Sequence, residues 1–248
     1  MIELNKVYNE DNLSLMDKLS DDFIDLIYCD ILYGTGRNFG EYQDIKADKK
    51  EIFDFYIPRF IEMNRILKST GNIFIQCDWR IVHWVRTILD DCFGYTNFMN
   101  EIIWSYNSAP RKKDRLGNRH DNILWYAKGE HYFDIDSILV REPYSLTAPR
   151  GYEKEKYYNP LGKVIGDVWN INILGQNDKT ERNGYPTQKP LALLERIVIP
   201  FCPVDGIVAD FFCGSGTSLV VAKNSGRQYI GCDISEEACR LSEERLSK

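Results

Sequence analysis

The sequence predicts an α/β chain, with a mostly parallel sheet carrying helices on both faces. Short β-branched and aromatic runs alternate with stretches of helical spacing, and a glycine-containing loop joins one such strand to a helix near the carboxyl end. At 248 residues the chain is long enough to bury roughly 70–75% of its unfolded surface without staples.

The elements follow in order. FIDLIYC (23–29) is short and apolar, as a buried strand is, and Asp30 follows at once. ILYGTGRNFGEYQD is a polar, glycine-containing loop. Over residues 49–68, Ile52, Phe53, Tyr56, Phe60, Met63 and Leu67 keep helical spacing, with Pro58 expected to kink or split the helix. GNIFIQCD (71–78) is a second strand, and Trp79 to Cys92 a helix. NEIIWSY (100–106) and DNILWYA (121–127) are β-branched and aromatic, hence strands. From about 107 to 187 the chain turns to Arg, Lys, Tyr, Asn and Pro. Loops and short elements are expected there rather than a core layer. Regularity returns with KPLALLERIVIPF, a helix opening near Pro190, where proline suits the first turn. Then come strand DGIVADFF, loop CGSGT, helix SLVVAKNSG, strand RQYIGC, and a helix from Ser235, its N-cap, to Lys248.

Several classes fall away. No apolar run approaches the ~20 residues of a membrane span. The start MIELNKVYNEDN lacks a basic and then apolar leader, so a cytoplasmic protein is expected. Seven scattered cysteines without a Cys-x-x-Cys pair, and only three histidines, argue for buried reduced thiols and no metal. The net charge of −6 weighs weakly against nucleic acid. Locally, however, Arg111, Lys112, Lys113, Arg115 and Arg119 face only Asp114, a basic strip suited to phosphates. A solvated surface loop would look the same.

The glycine loop is more informative. Phe212, Gly214 and Gly216 form F-x-G-x-G after Asp210 at a strand end, and the next strand closes on Asp233. Glycines let backbone approach a ligand, and an acidic residue there accepts from ribose hydroxyls. A nucleoside-containing cofactor is expected, the alternative being a purely structural turn. Leu219 stands where a dinucleotide fingerprint has its third glycine, and no G-K-[ST] exists for a triphosphate.

ADFFCGSGTSLVVAKNSGRQYIGCDIS resembles the cofactor motif of DNA amino-methyltransferases, usually D-P-F-C-G-S-G-T, and YPTQKPLALLERIV resembles their H-P-T-Q-K-P helix, with Tyr185 in the histidine's place. YGTGRNFGEYQD, RILKSTGNIFIQCD, FGYTNFMNEIIWSY and RHDNILWYAKG are similar to successive blocks of that family, in order, so the resemblance covers roughly 1–130 and 185–245. It implies a Rossmann-like S-adenosylmethionine methyltransferase fold. Cofactor contacts would come from Asp11, Asp30, Lys189, Asp210, Phe212, Cys213, Gly214, Ser215, Gly216, Thr217 and Asp233, with Asp11 near the cofactor adenine.

Asp30-Ile31-Leu32-Tyr33 stands where the family carries its catalytic D/N/S-P-P-Y/F/W, but both prolines are absent. The chemistry explains the residue types. An aromatic amine is a poor nucleophile because its lone pair is delocalised. A carboxylate and a backbone carbonyl that accept its hydrogens localise the pair and stabilise charge developing on nitrogen. An adjacent aromatic ring can stack on a base extruded from the duplex. The tetrapeptide precedes the glycine loop, the family's permuted (beta) order. The resemblance therefore implies a catalytic half (1–106), a target-recognition insertion (107–187, with the strand near 121–127 in the core) and a cofactor-binding half (188–248). It implies methylation of double-stranded DNA at adenine N6, since the aspartate form accompanies adenine more often and serine accompanies cytosine. N4-cytosine methylation and a catalytically silent, DNA-binding relative lacking the prolines' stiffness remain as alternatives. A homodimer and a cognate restriction endonuclease are further partners the family allows.

Overall fold

A computed structural model describes residues 2–38, 44–107, 113–144, 159–175, 178 and 180–248. The amino-terminal part runs β1 (Lys6–Asn9), α1 (Asn12–Met16), β2 (Ile24–Asp30), α2 (Lys49–Ile66), β3 (Leu67–Cys77), α3 (Val82–Phe93), β4 (Phe98–Ser105) and β5 (His120–Ala127). β6 (Arg141–Glu142), β7 (Lys163–Val164) and β8 (Val168–Asn170) follow. The carboxyl-terminal part is α4 (Leu191–Phe201), β9 (Ile207–Asp210), α5 (Thr217–Asn224), β10 (Gln228–Asp233) and α6 (Glu236–Leu246).

Eight strands form one sheet in the order β1-β10-β9-β2-β3-β5-β4-β8. Only the pairs β3–β5 and β4–β5 are antiparallel. Because side chains alternate along a strand, neighbouring residues feed different layers. Ile27, Cys29, Ile73 and Ile75 join α1, α2 and α3 in one core, while Leu26, Tyr28 and Phe74 join α4, α5 and α6 in the other. The expected architecture of a mostly parallel sheet covered on both faces is present.

Two expectations are corrected. Pro58 does not split its helix: α2 runs unbroken through it. An interior proline costs about 3 kcal/mol, whereas Ile52, Tyr56, Phe60 and Met63 are fully buried on this helix, each contributing about 1.5–3 kcal/mol. The burial wins. The stretch after residue 107 also adds more to the core than the strand at 121–127. β8 pairs in parallel with β4, and Trp169 is buried there. A three-residue strand is too short to show alternation in sequence.

Local signals fix the helix starts. Asp11 caps α1, accepting from the Leu13 and Ser14 amides, and Asp48 caps α2 through the Glu51 amide. Ser235 caps α6 through the Ala238 amide, as expected. Among the described residues all seven cysteines are free, and no helix is long and apolar enough to cross a membrane.

Candidate active site

β2 and β9 are parallel neighbours, with Leu26 opposite Val208 and Ile27 opposite Ala209. From β2 the chain crosses through α2 to β3 on one side; from β9 it crosses through α5 to β10 on the other. The strand order reverses between them, and in an open α/β sheet such a point leaves a crevice beyond the carboxyl ends of the strands. A cavity of about 280 Å3 lies there.

Asp11, Asp30, Ile31, Leu32, Tyr33, Lys189, Asp210, Phe212, Cys213, Gly214, Ser215, Thr217 and Asp233 all line this one cavity. The sequence-derived catalytic and cofactor residues, drawn from segments up to 222 positions apart, therefore meet. Gly216 stands behind the wall as the residue before α5. Its φ is +70°, and a Cβ there would approach Ser242 Oγ to 2.7 Å.

Two carboxylates brace the glycine loop. Asp233 accepts from the Gly214 amide at 2.9 Å and the Ser235 amide at 3.0 Å. Asp210, nearly inaccessible, accepts from the Phe212 amide at 3.1 Å and from the Ser218 hydroxyl. Burial pushes the Asp210 carboxyl up to about 7, although both hydrogen bonds pull it down. Also lining the cavity, Asp11 pairs with Arg59 at 3.1 Å, and the Arg59 guanidinium stacks on Phe55. Asn12 donates to the Phe211 carbonyl at 3.1 Å, while its buried Oδ1 has no partner among the described residues. A buried acceptor on a cavity wall normally finds a donor. That orphan atom and the close-fitting glycine backbone suit a polar, nucleoside-sized ligand.

The tetrapeptide forms the floor. The Asp30 carboxylate is ion-paired with Lys189, and the Tyr33 hydroxyl lies 2.8 Å from it. The same hydroxyl is 2.8 Å from Asp121, which also accepts from Gln76 Nε2 at 3.0 Å and from the Tyr106 hydroxyl at 3.1 Å. Tyr28 donates to Gln76 Oε1 at 2.7 Å. Burial, then the charges of Asp30 and Asp121, raise the Tyr33 pKa well above its ordinary value, so the phenol stays protonated. Burial is also the largest influence raising Asp121, partly offset by Lys189. One phenolic proton cannot serve two carboxylates, and a proton on Asp121 would complete the chain Asp121–Tyr33–Asp30. Sequence reasoning missed Gln76, Asp121, Tyr28 and Tyr106 as members of this floor. The available signal was a glutamine and an aspartate inside or beside apolar strands, where a polar side chain must find partners.

The described part of the basic strip does not line the cavity. Arg111 and Lys112 lie outside the described residues; Lys113, Arg115 and Arg119 are exposed, with Arg115 paired to Asp114 at 2.9 Å. None of these three lines the cavity.

Comparison with known proteins decides the family. A family model described as DNA methylase matches residues 24–244. The chain belongs to this DNA amino-methyltransferase family. It is 32% identical over 251 residues to the DNA adenine methyltransferase YhdJ of Escherichia coli K12, covering 98% of this chain and 83% of that one. It is 29% identical to the type II methyltransferase M.BglII of Bacillus subtilis, over 98% of this chain and 69% of the relative. Among solved structures, PvuII DNA methyltransferase, named cytosine-N4-specific, superposes with a TM-score of 0.70 at 17% identity, covering 98% of this chain and 90% of that one. M1.HpyAVI, solved as a complex with SAM, gives 0.64 at 21%, covering 98% and 99%. These two likenesses establish the methyltransferase fold, and the family makes this chain a DNA methyltransferase of the N6/N4 type.

Proposed function

We infer that this methyltransferase acts on the N6 amino group of adenine in double-stranded DNA, with S-adenosylmethionine as methyl donor. One observation carries the reading: at the reversal of strand order, the Asp30 loop and the glycine loop share one cavity. The bound cofactor supplies an electrophilic methyl group on a sulfonium. Asp233 and Asn12 suit its nucleoside hydroxyls and polar edge, and Asp11 stands on the same wall. Asp30 and the Ile31 carbonyl accept the hydrogens of the target amine, and the Tyr33 ring takes the extruded base. In-line positioning supplies the rest.

Adenine is favoured over cytosine by the aspartate at position 30, and the relative YhdJ, named as an adenine enzyme, supports the same choice. Residues 107–187 form the recognition region, with Arg111, Lys112, Lys113, Arg115 and Arg119 on phosphates. The test is transfer of a labelled methyl group to unmethylated DNA, followed by digestion to nucleosides and mass analysis. N6-methyl-2′-deoxyadenosine is expected. N4-methyl-2′-deoxycytidine alone would transfer the reading to cytosine. Intact cofactor binding with no transfer to varied DNA would make the chain a silent relative.

A further inference from the structure

The two residues that replace the family's prolines are held by contacts of their own. Ile31 is almost wholly buried in the core, and its amide donates to the Gln76 carbonyl at 3.1 Å, extending the β2–β3 ladder one residue past Asp30. A proline at 31 would have no such donor. The Leu32 carbonyl accepts from the Tyr56 hydroxyl at 3.0 Å. The Tyr56 ring is fully buried in α2, stacked on Phe60 at 5.4 Å, so its hydroxyl is delivered from a rigid base. Just downstream, the Asp44 carboxylate is 4% exposed and gathers the Gly34 amide at 3.3 Å, the Thr35 amide at 2.8 Å and the Thr35 hydroxyl. Gly34, with φ +72°, leaves no room for a side chain: a Cβ would sit 2.7 Å from Ile81 Cγ2. The loop is therefore tied from β3, from α2 and from its own return segment.

We propose that Tyr56 and Asp44 are positioning residues for the tetrapeptide, fixing by hydrogen bonds the backbone that a proline pair fixes by its rings. Both act through residues 32–35 rather than on the Asp30 carboxylate or the Tyr33 ring directly. The proposal rests on the methyl-transfer reading and explains how an Asp-Ile-Leu-Tyr sequence stays preorganised. Restraint matters because misplacing a reacting group by about 1 Å can cost around 100-fold in rate.

The test compares wild type with Tyr56→Phe and Asp44→Asn, each alone and combined with Leu32→Pro. Tyr56→Phe removes only the hydroxyl and keeps the ring stack; Asp44→Asn keeps the size and turns one acceptor oxygen into a donor. Three quantities are read: hydrogen exchange of the amides of residues 33–36, the cofactor Kd, and the single-turnover methylation rate. Each single variant should exchange severalfold faster in that segment and methylate about tenfold or more slowly. For Tyr56→Phe, whose side chain does not line the cavity, the cofactor Kd should stay within about twofold of wild type; Asp44 itself lines the cavity, so its variant is read by exchange and rate. Leu32→Pro should restore much of the rate to Tyr56→Phe by fixing φ again. Unchanged exchange would overturn the proposal. So would faster exchange with an undiminished rate or, for Tyr56→Phe, parallel loss of rate and cofactor affinity. Should wild type itself transfer no methyl group, the functional reading fails separately, and the exchange rates alone then decide whether the clamp exists.

Discussion

Asp30→Ala separates the chemistry of the site from its scaffolding. The carboxylate touches two groups, the Lys189 ammonium and the Tyr33 hydroxyl. Its side chain is 20% exposed and that of Lys189 12%, so the pair is screened only in part. After truncation Tyr33 keeps its 2.8 Å hydrogen bond with Asp121, and Lys189 loses its carboxylate partner at the edge of an open cavity. The fold should lose about 1.5–3 kcal/mol, the scale of one charged hydrogen bond. At this chain length that is a fall in Tm of about 3–12 °C. The catalytic loss should be far larger. Removing one group that stabilises developing charge typically costs 100- to 1,000-fold, and Asp30 is the only carboxylate the tetrapeptide offers the amine. Single-turnover transfer of labelled methyl groups at saturating cofactor measures the rate, and a thermal melt of the same sample measures the fold. A variant that keeps more than about a tenth of the wild-type rate would refute the role of Asp30. A melt lowered by some 15 °C would refute the claim that its role is chemical.

Other consequences follow from the glycine loop and the surface. Gly216→Ala should destabilise by about 1–2 kcal/mol for the left-handed backbone and a further 1–3 for crowding Ser242. Gly184→Ala, at φ +95° with nothing within 4 Å, carries only the backbone cost, so equal losses in urea titrations would contradict the crowding argument. Asp210 ionises near its ordinary 3.8 when unfolded and near 7 in the fold. Its stabilising contribution is therefore complete below about pH 4 and lost as pH rises through 7. Between pH 4 and pH 8 the stability difference should move toward Asp210→Asn by up to about 4 kcal/mol, whereas a difference independent of pH would show that the buried carboxyl is not shifted. Replacing Arg111, Lys112 and Lys113 by alanine should weaken DNA binding most at low salt and flatten the salt slope by about 0.9 for each phosphate no longer neutralised; an unchanged slope would clear the strip of involvement.

The sequence displayed the parts of this molecule better than their arrangement. β2, β5 and β10 are runs of buried apolar residues long enough to be seen, β9 is short but wholly buried and followed by the glycine loop, and Ser235 announced its helix. β1, α1 and β8 span only four, five and three residues, below the length at which a period shows. The decisive adjacency of β2 and β9 joins residues some 180 positions apart, and no local pattern encodes such pairing. The same divide runs through the site. The tetrapeptide and the glycine loop are contiguous motifs, so they were legible. The Asp121–Gln76–Tyr33 floor and the Tyr56 and Asp44 ties are assembled across strands, a helix and a loop, so they were not. Pro58 shows the reverse: the split its ring favours does not occur in a helix held by four buried side chains.

The central claim is that the acidic loop and the glycine loop act together on a DNA amino group. Plasmid DNA from a methylation-free host, incubated with the protein and S-adenosylmethionine and then read by single-molecule sequencing, tests it most directly. The account predicts N6-methyladenine in a fixed sequence context, abolished by Asp30→Ala. Unmodified plasmid despite a saturated cofactor site, or modification that survives Asp30→Ala undiminished, would contradict it.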